Sequence, residues 1–275
     1  MNPDPSFDLN DPGLISVMDE LPLWSAPFGM KLLEKIPMHR AMNVLDIGSG
    51  TGFPATELAM RLGPSSTVYT LDPWKAATDR IRLKIRQYGL NNLKLQIGVA
   101  EQMPFPGNFF HLIVSNNGLN NVSDLAASLK ECKRVARNGA MLVFTMNTRD
   151  TMLEFYTILT GILQKRGMNT EIEKLKEHVL IKRPPREKVL SLLSDASITV
   201  KEMDDEAFVF RYADGTSMLH HGFIRLAFMQ PWKELLPPEK SKEIFSEAED
   251  IMNRIAEKEG EFRLTIPFTT FVCQM

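Results

Sequence analysis

The run Val44-Leu45-Asp46-Ile47-Gly48-Ser49-Gly50-Thr51-Gly52 constrains this chain more than any other feature. A short apolar stretch ends in an acid, and glycines then occupy alternate positions. That pattern closes a strand and opens a helix. Glycine allows the chain to turn tightly and lets its backbone approach a ligand with no Cβ in the way. The helix start that follows presents unpaired N–H groups and a partial positive charge. One strand later, Val68-Tyr69-Thr70-Leu71-Asp72 again ends in a carboxylate, 20 residues after Gly52. An acid in that place can accept hydrogen bonds from both ribose hydroxyls. A nucleoside-containing ligand across the first two strand ends is the expectation.

The surrounding texture agrees. Strands are predicted at Asn43–Ile47, Thr67–Leu71, Leu93–Ile97, Leu112–Ser115 and Ala140–Met146. Helices are predicted between them, at Phe53–Leu62, Trp74–Tyr88 and Leu125–Val135. Strands alternating with helices every ~30 residues indicate βαβ units and a parallel sheet covered on both faces. Beyond residue 150, helices are expected at 150–166, 170–181 and 186–195, then a β-rich stretch at 198–212. A helical block at 216–258 is interrupted by Pro231, Pro237 and Pro238, and Arg263–Cys273 reads as a closing strand. The fold class expected is α/β: a Rossmann-like, mostly parallel seven-stranded sheet with helices on both faces and helical cap insertions. Three regions follow: an N-terminal helical cap at 1–43, a nucleoside-binding core at 44–150, and the remaining sheet with helical lids at 151–275. The cap is broken by prolines 12, 22, 27 and 37 and carries apolar Leu14, Ile15, Met18, Leu21, Leu23, Trp24 and Phe28.

Spacing and charge choose the nucleoside. A nicotinamide cofactor calls for G-x-G-x-x-G, with a pyrophosphate on the helix N-terminus. Here the glycines read G-x-G-x-G and residue 53 is Phe. Asp46 would repel a pyrophosphate and welcome an ammonium. S-adenosylmethionine carries an ammonium, a sulfonium and an adenosine, with no phosphate, and it fits. A nicotinamide-dependent oxidoreductase is the rival enzyme class.

The chain resembles the class I S-adenosylmethionine-dependent methyltransferases, particularly the small-molecule branch that includes the ubiquinone/menaquinone C-methyltransferases. The resemblance covers roughly residues 43–148 and rests on five blocks in order. They are Leu45 to Gly52, Leu71-Asp72-Pro73, Gly98-Val99-Ala100-Glu101-Gln102-Met103-Pro104-Phe105, Phe109 to Asn116, and Glu131-Cys132-Lys133-Arg134-Val135 through Gly139. It implies S-adenosylmethionine as cofactor, held by Asp46, Gly48, Ser49, Gly50, Thr51, Gly52, Asp72, Pro73, Trp74, Val99, Ala100, Glu101, Ser115 and Asn116. The third block usually has an acid where this chain has Val99, so adenine contacts are expected from backbone around Val99 and Ala100 or from Glu101. The fourth strand usually has Asp where this chain has His111, and the turn before the fifth strand reads Asn138-Gly139-Ala140 instead of Pro-Gly-Gly. The acceptor implied is small and apolar or amphipathic, with Trp24, Phe28 and Asn117 as candidate contacts. A methyltransferase-like protein that binds the cofactor only to support a partner is the non-catalytic rival. No residue stands out as a general base.

Composition narrows the rest. At 275 residues with 24% charged side chains and a net charge of −2, the chain lacks the electrostatic footprint of a nucleic-acid binder. The basic run from Lys75 to Lys94 lies opposite an apolar face made by Ala77, Ile81, Ile85 and Tyr88, so it reads as a solvated helix side. Two cysteines, Cys132 and Cys273, make neither a disulfide framework nor a cysteine zinc site. The neighbours His220 and His221 would point ~100° apart on a helix, which suits no single metal. No apolar run reaches the ~18 residues of a membrane span, and the start lacks the pattern of a signal peptide. A cytoplasmic protein without a metal, acting on a small molecule, is the expectation; oligomeric state is open.

Overall fold

The computed structural model describes residues 8, 10–20 and 24–275, with side chains left undescribed at 17–20. Leu21 and Leu23 of the apolar N-terminal set, and the Met18 side chain, lie outside the described residues.

Seven strands form one sheet: β1 (Asn43–Ile47), β2 (Thr67–Asp72), β3 (Leu93–Ile97), β4 (Phe110–Asn116), β5 (Ala136–Asn147), β6 (Thr199–Tyr212) and β7 (Phe262–Gln274). Their order is β3-β2-β1-β4-β5-β7-β6. The first five are parallel, and β7 runs antiparallel to β5. The expected seven-stranded, mostly parallel sheet is the one found. β5 starts four residues before its predicted start, because Phe110 pairs with Ala136 across an irregularity. The exposed Arg137-Asn138-Gly139 segment between carries no apolar signature to announce it.

Strand alternation divides the core in two. On one face Val44, Val68, Val114, Val143 and Val272 pack with Leu32, Leu33, Leu58 and Ile81. On the other, Leu45, Ile47, Ile113, Leu142, Phe144 and Phe271 pack with Leu129, Val135, Val189 and Leu193. Asp46 thus shares a face with Val44. The strand order reverses between β1 and β4, which opens a crevice at the carboxyl ends of the strands. Ligands of open α/β sheets bind there.

Two compact units emerge. One gathers residues 10–148, 184–206 and 268–275, so the helix Ala26–Glu34 folds with the sheet. The other contains residues 149–183 and 207–267. In it, fully buried Trp232 stacks on Phe155 at 4.1 Å, and its indole N–H donates to the Tyr156 hydroxyl at 3.0 Å. Pro231 lies in helix Gln230–Glu234, which runs on without a break from the π-helical turn Arg225–Met229, so this proline does not interrupt the helical block as expected. The long helix Pro238–Glu259 begins only after Pro237. Among the described residues, no helix is long and apolar enough to cross a membrane.

Candidate functional site

The site begins with a buried charge. Asp46 is 0% exposed at the end of β1, and neither carboxylate oxygen has a partner in hydrogen-bond geometry. Burial, and next the carboxylate of Asp72, raise its pKa well above the ordinary value; the Ala55 N–H offsets this only in part. The chain then turns through Gly48 at φ +72, where a Cβ would stand 2.6 Å from the Gly118 Cα. No other residue fits that crossing of two backbones. Gly50 differs. Its φ is +50, yet nothing lies within 4 Å of where its Cβ would be. The glycine keeps a left-handed conformation beside open space. Ser49 is 1% exposed with an unpartnered hydroxyl, and the Thr51 carbonyl accepts a hydrogen bond from Lys84 Nζ at 2.9 Å. The basic run of the following helix therefore includes one side chain that holds the glycine loop, a contact no periodicity could announce.

Asp72 closes the loop from the neighbouring strand. Its carboxylate accepts from the Gly50 N–H at 2.9 Å and from the Trp74 N–H at 2.8 Å. Burial raises its pKa, opposed by these two bonds. From the sequence, a carboxylate facing an open crevice should matter little to the empty fold. The structure gives it a second role, because it is only 8% exposed and shapes the loop. Two bonds leave lone-pair sites free, since an ionised carboxylate can accept about four. Pro73 is exposed and Trp74 half-buried beside it. In register with Asp72 stands Ile97, an apolar side chain left 41% exposed, and Val99 follows at 45%. Ile97 escaped the sequence reading because an apolar residue ending a strand looks like core. Ala100 is buried, and one Glu101 oxygen accepts from the Ser123 and Asp124 N–H groups at 2.6 and 3.0 Å. Glu101 thus braces the turn into helix Leu125–Val135.

The ends of β4 and β5 carry the remaining candidates. The Ser115 hydroxyl donates to the Ile47 carbonyl at 2.9 Å and accepts from the Leu119 N–H at 3.0 Å, in full burial. Its side chain braces β1 against the next turn. Asn116 donates to the Ser25 carbonyl at 2.9 Å and accepts from the Thr145 hydroxyl at 3.2 Å, so it anchors the N-terminal helix. That helix passes close: a Cβ on Gly29 would meet the Phe53 ring at 2.0 Å. Phe28 is 0% exposed and lies edge-on to Phe268 at 4.8 Å, which makes it core, while half-buried Trp24 contacts its ring. Asn117 holds φ +59 and donates its N–H to the Thr145 hydroxyl at 3.0 Å. Both polar atoms of its buried side chain are unpartnered.

His111, where the family has Asp, does its work at the opposite end of β4. Its Nδ1 accepts from the Asn43 N–H at 2.9 Å, and Nε2 lies 2.8 Å from Arg137. Burial, then the Arg137 charge, lowers its pKa. Both cysteines are buried and pushed up to about 12, which suits no thiolate chemistry. Among the described residues, no cluster of three or more His, Cys, Asp or Glu side chains could hold a metal.

The residues fit S-adenosylmethionine. A buried carboxylate without a partner wants a cation, open space beside Gly50 can admit a ligand against the backbone, and Asp72 keeps acceptor capacity. Residues 45–144 match the family model described as a methyltransferase domain. The chain is 34% identical to a demethylmenaquinone methyltransferase of Geobacillus kaustophilus over 45% of this chain and 53% of that one. It therefore spans about half the length of that relative. A ubiquinone/menaquinone biosynthesis C-methyltransferase of Shewanella frigidimarina is 28% identical over 70% of this chain and 77% of its own. Among solved structures, a SAM-dependent methyltransferase from Aquifex aeolicus matches 70% of this chain and 91% of its own, with TM-score 0.52 and 23% identity. Residues 45–144 thus carry a methyltransferase domain, on a sheet whose fold is that of solved methyltransferases, and the chain is similar to demethylmenaquinone and ubiquinone/menaquinone C-methyltransferases.

Proposed function

We propose that this protein binds S-adenosylmethionine and directs methyl transfer to a small, apolar or amphipathic acceptor. The observation that carries the reading is Asp46, a fully buried carboxylate that the Ala55 N–H approaches but that has no partner in good hydrogen-bond geometry. A fold does not leave such a group unmatched without reason, since an unpartnered buried charge is strongly destabilising. Asp46 takes the cofactor's ammonium, and the backbone from Gly48 through Gly52, with Ser49 and Thr51, lines the amino-acid portion. Asp72 accepts from the ribose hydroxyls. Pro73, Trp74, Ile97, Val99 and Ala100 form the adenine surface, while Ser115, Asn116 and Glu101 hold the surrounding turns in place. Trp24 and Asn117 stand toward the acceptor.

When bound, the cofactor would supply an activated methyl group on its sulfonium sulfur. The chain's own residues have to orient the two partners and exclude water. The curated relatives' quinone acceptors support an oxygen-bearing ring as the acceptor here. The test is thermal denaturation followed by turnover. Saturating S-adenosylhomocysteine, at ~100 times its dissociation constant, should add about 2.7 kcal/mol of stability. NADH should add none. S-adenosylhomocysteine release should then appear with a hydroquinone-type acceptor. The reverse pattern of ligand shifts overturns the reading.

A further inference from the structure

The glycine loop is locked at alternate peptides. In the first, Ile47–Gly48, the carbonyl accepts from the Ser115 hydroxyl at 2.9 Å and the N–H donates to the Leu71 carbonyl at 2.9 Å. In the second, Ser49–Gly50, the carbonyl accepts from the Gly52 N–H at 2.8 Å and the N–H donates to Asp72 at 2.9 Å. The third is Thr51–Gly52, whose N–H is the one bonded to Ser49 and whose carbonyl accepts from Lys84 Nζ at 2.9 Å. Between the last two lies the Gly50–Thr51 peptide, half-buried beside the open space at Gly50. Among the described residues, nothing bonds the Gly50 carbonyl or the Thr51 N–H.

The first two locks come from neighbouring strands, and the third from helix Lys75–Tyr88. Ile81 and Lys84 stand three residues apart and share one side of that helix. A Cβ on Gly52 would lie 3.2 Å from Ile81 Cγ1, so the side that supports the loop by apolar contact also bonds its carbonyl. Other cations of the run are used on the helix itself: Lys75 and Arg82 both pair with Asp79. Gly52, at φ +112, offers little resistance to rotation of the peptide before it. Without the ammonium, the Thr51 carbonyl is free to turn, and the Thr51 N–H loses its setting. We propose that Lys84 is a positioning residue for the cofactor: it holds the Thr51 carbonyl so that the Thr51 N–H is aimed at the carboxylate of the cofactor's amino-acid portion. The inference rests on the methyltransferase reading and adds to it a residue that acts through the loop. A charged donor makes the stronger bond, so the lock depends on the ammonium and not on the length of the side chain alone.

The experiment compares Lys84→Met, which keeps the reach and loses the donor, with Lys84→Arg, which keeps a charged donor. Titration calorimetry measures two ligands on each variant and on the wild type. One is S-adenosylhomocysteine; the other is methylthioadenosine, which retains the adenosine and thioether and lacks the amino-acid portion. Lys84→Met should bind S-adenosylhomocysteine about tenfold more weakly than wild type, the order of one charge-assisted hydrogen bond, with methylthioadenosine affinity kept within about twofold. Lys84→Arg should recover most of the loss. Equal losses for the two ligands in Lys84→Met would make the lysine a general support of the fold and overturn the proposal. So would wild-type affinity of Lys84→Met for S-adenosylhomocysteine, or an arginine variant as weak as the methionine one. Failure of wild-type protein to bind S-adenosylhomocysteine is a different result and removes the methyltransferase reading itself.

Discussion

Asp46→Asn should move stability and cofactor affinity in opposite directions. In the empty protein the carboxylate is wholly buried, has no partner in good hydrogen-bond geometry and faces the charge of Asp72, so its pKa is raised. The sign then follows. A group whose folded pKa exceeds its unfolded value stabilises the fold while protonated, and that contribution is lost as pH rises through the folded value. Above that raised folded value the buried charge weighs against folding. Asn has the same shape and no charge, though its amide remains unmatched. An unsatisfied buried group costs about 1–3 kcal/mol, more when charged. Relief of the charged excess should raise stability by about 1–2 kcal/mol. In a chain of this size each kcal/mol moves Tm by roughly 2–4 °C. Binding should suffer. The bond from an ammonium to a carboxylate contributes about 1.5–3 kcal/mol, so the variant should bind S-adenosylmethionine ~10- to 200-fold more weakly. Thermal melts from pH 4.5 to 8 and titration calorimetry measure both. The melting advantage of the variant should shrink as pH falls and wild-type Asp46 becomes protonated. A variant that melts lower at pH 7 and binds with wild-type affinity would refute the assignment.

Asp72→Ala should weaken cofactor binding and also lower Tm, because the Gly50 and Trp74 N–H groups lose their acceptor; an empty-protein loss of about 1–3 kcal/mol by denaturant titration is expected, and no loss would count against the loop-shaping role. Gly48→Ala and Gly50→Ala should separate cleanly. The first drives a Cβ into Gly118 and should unfold or strongly destabilise the protein, while the second meets open space, retains native circular dichroism after a strain of about 1 kcal/mol, and loses cofactor affinity. For His111, the folded pKa is depressed, so its contribution to stability is present above the unfolded value of 6.5 and is lost as pH falls through the folded one. Below pH 6.5, His111→Gln should retain more of its neutral-pH Tm than wild type does; parallel Tm profiles would show the ring to be uninvolved.

The strands, their order of appearance and the cofactor loop could be read from sequence because each is written locally. Alternating apolar runs define β1 to β4, glycines mark the turn, and an acid ends each of the first two strands. What the sequence could not show is a side chain's partner far along the chain. Ser115 and Asn116 look like ligand contacts beside a strand end, yet Ile47, Ser25 and Thr145 already engage them. Phe28 in a proline-bounded segment looks available to a substrate, and Phe268 closes over it from 240 residues away. Glu101 looks like an adenine contact and serves as a helix brace. In each case the residue type was informative, and a tertiary neighbour decided its use.

The distribution of unmatched polar groups carries the last step. Away from the strand ends, several buried hydroxyls on this sheet's scaffold are used: Thr56 donates to the Gly52 carbonyl at 2.8 Å, Ser128 donates to the Asp124 carbonyl at 2.8 Å, and Ser66 accepts from the Met42 N–H at 3.1 Å. Unmatched atoms on Asp46, Ser49, Asn117, Asn120 and Asn147 lie at or just beyond the carboxyl ends of β1, β4 and β5. Outside those ends only Thr70, Thr270 and Arg183 have any such atom among the described residues. A sequence selected for stability alone would fill those places with apolar side chains of equal volume, at a gain for each unsatisfied group removed. Retaining them where an α/β sheet binds ligands ties the weakness of the empty fold to its site. The same groups that depress stability without ligand become satisfied with it, so cofactor and acceptor should each stabilise this protein by more than contact area alone would give.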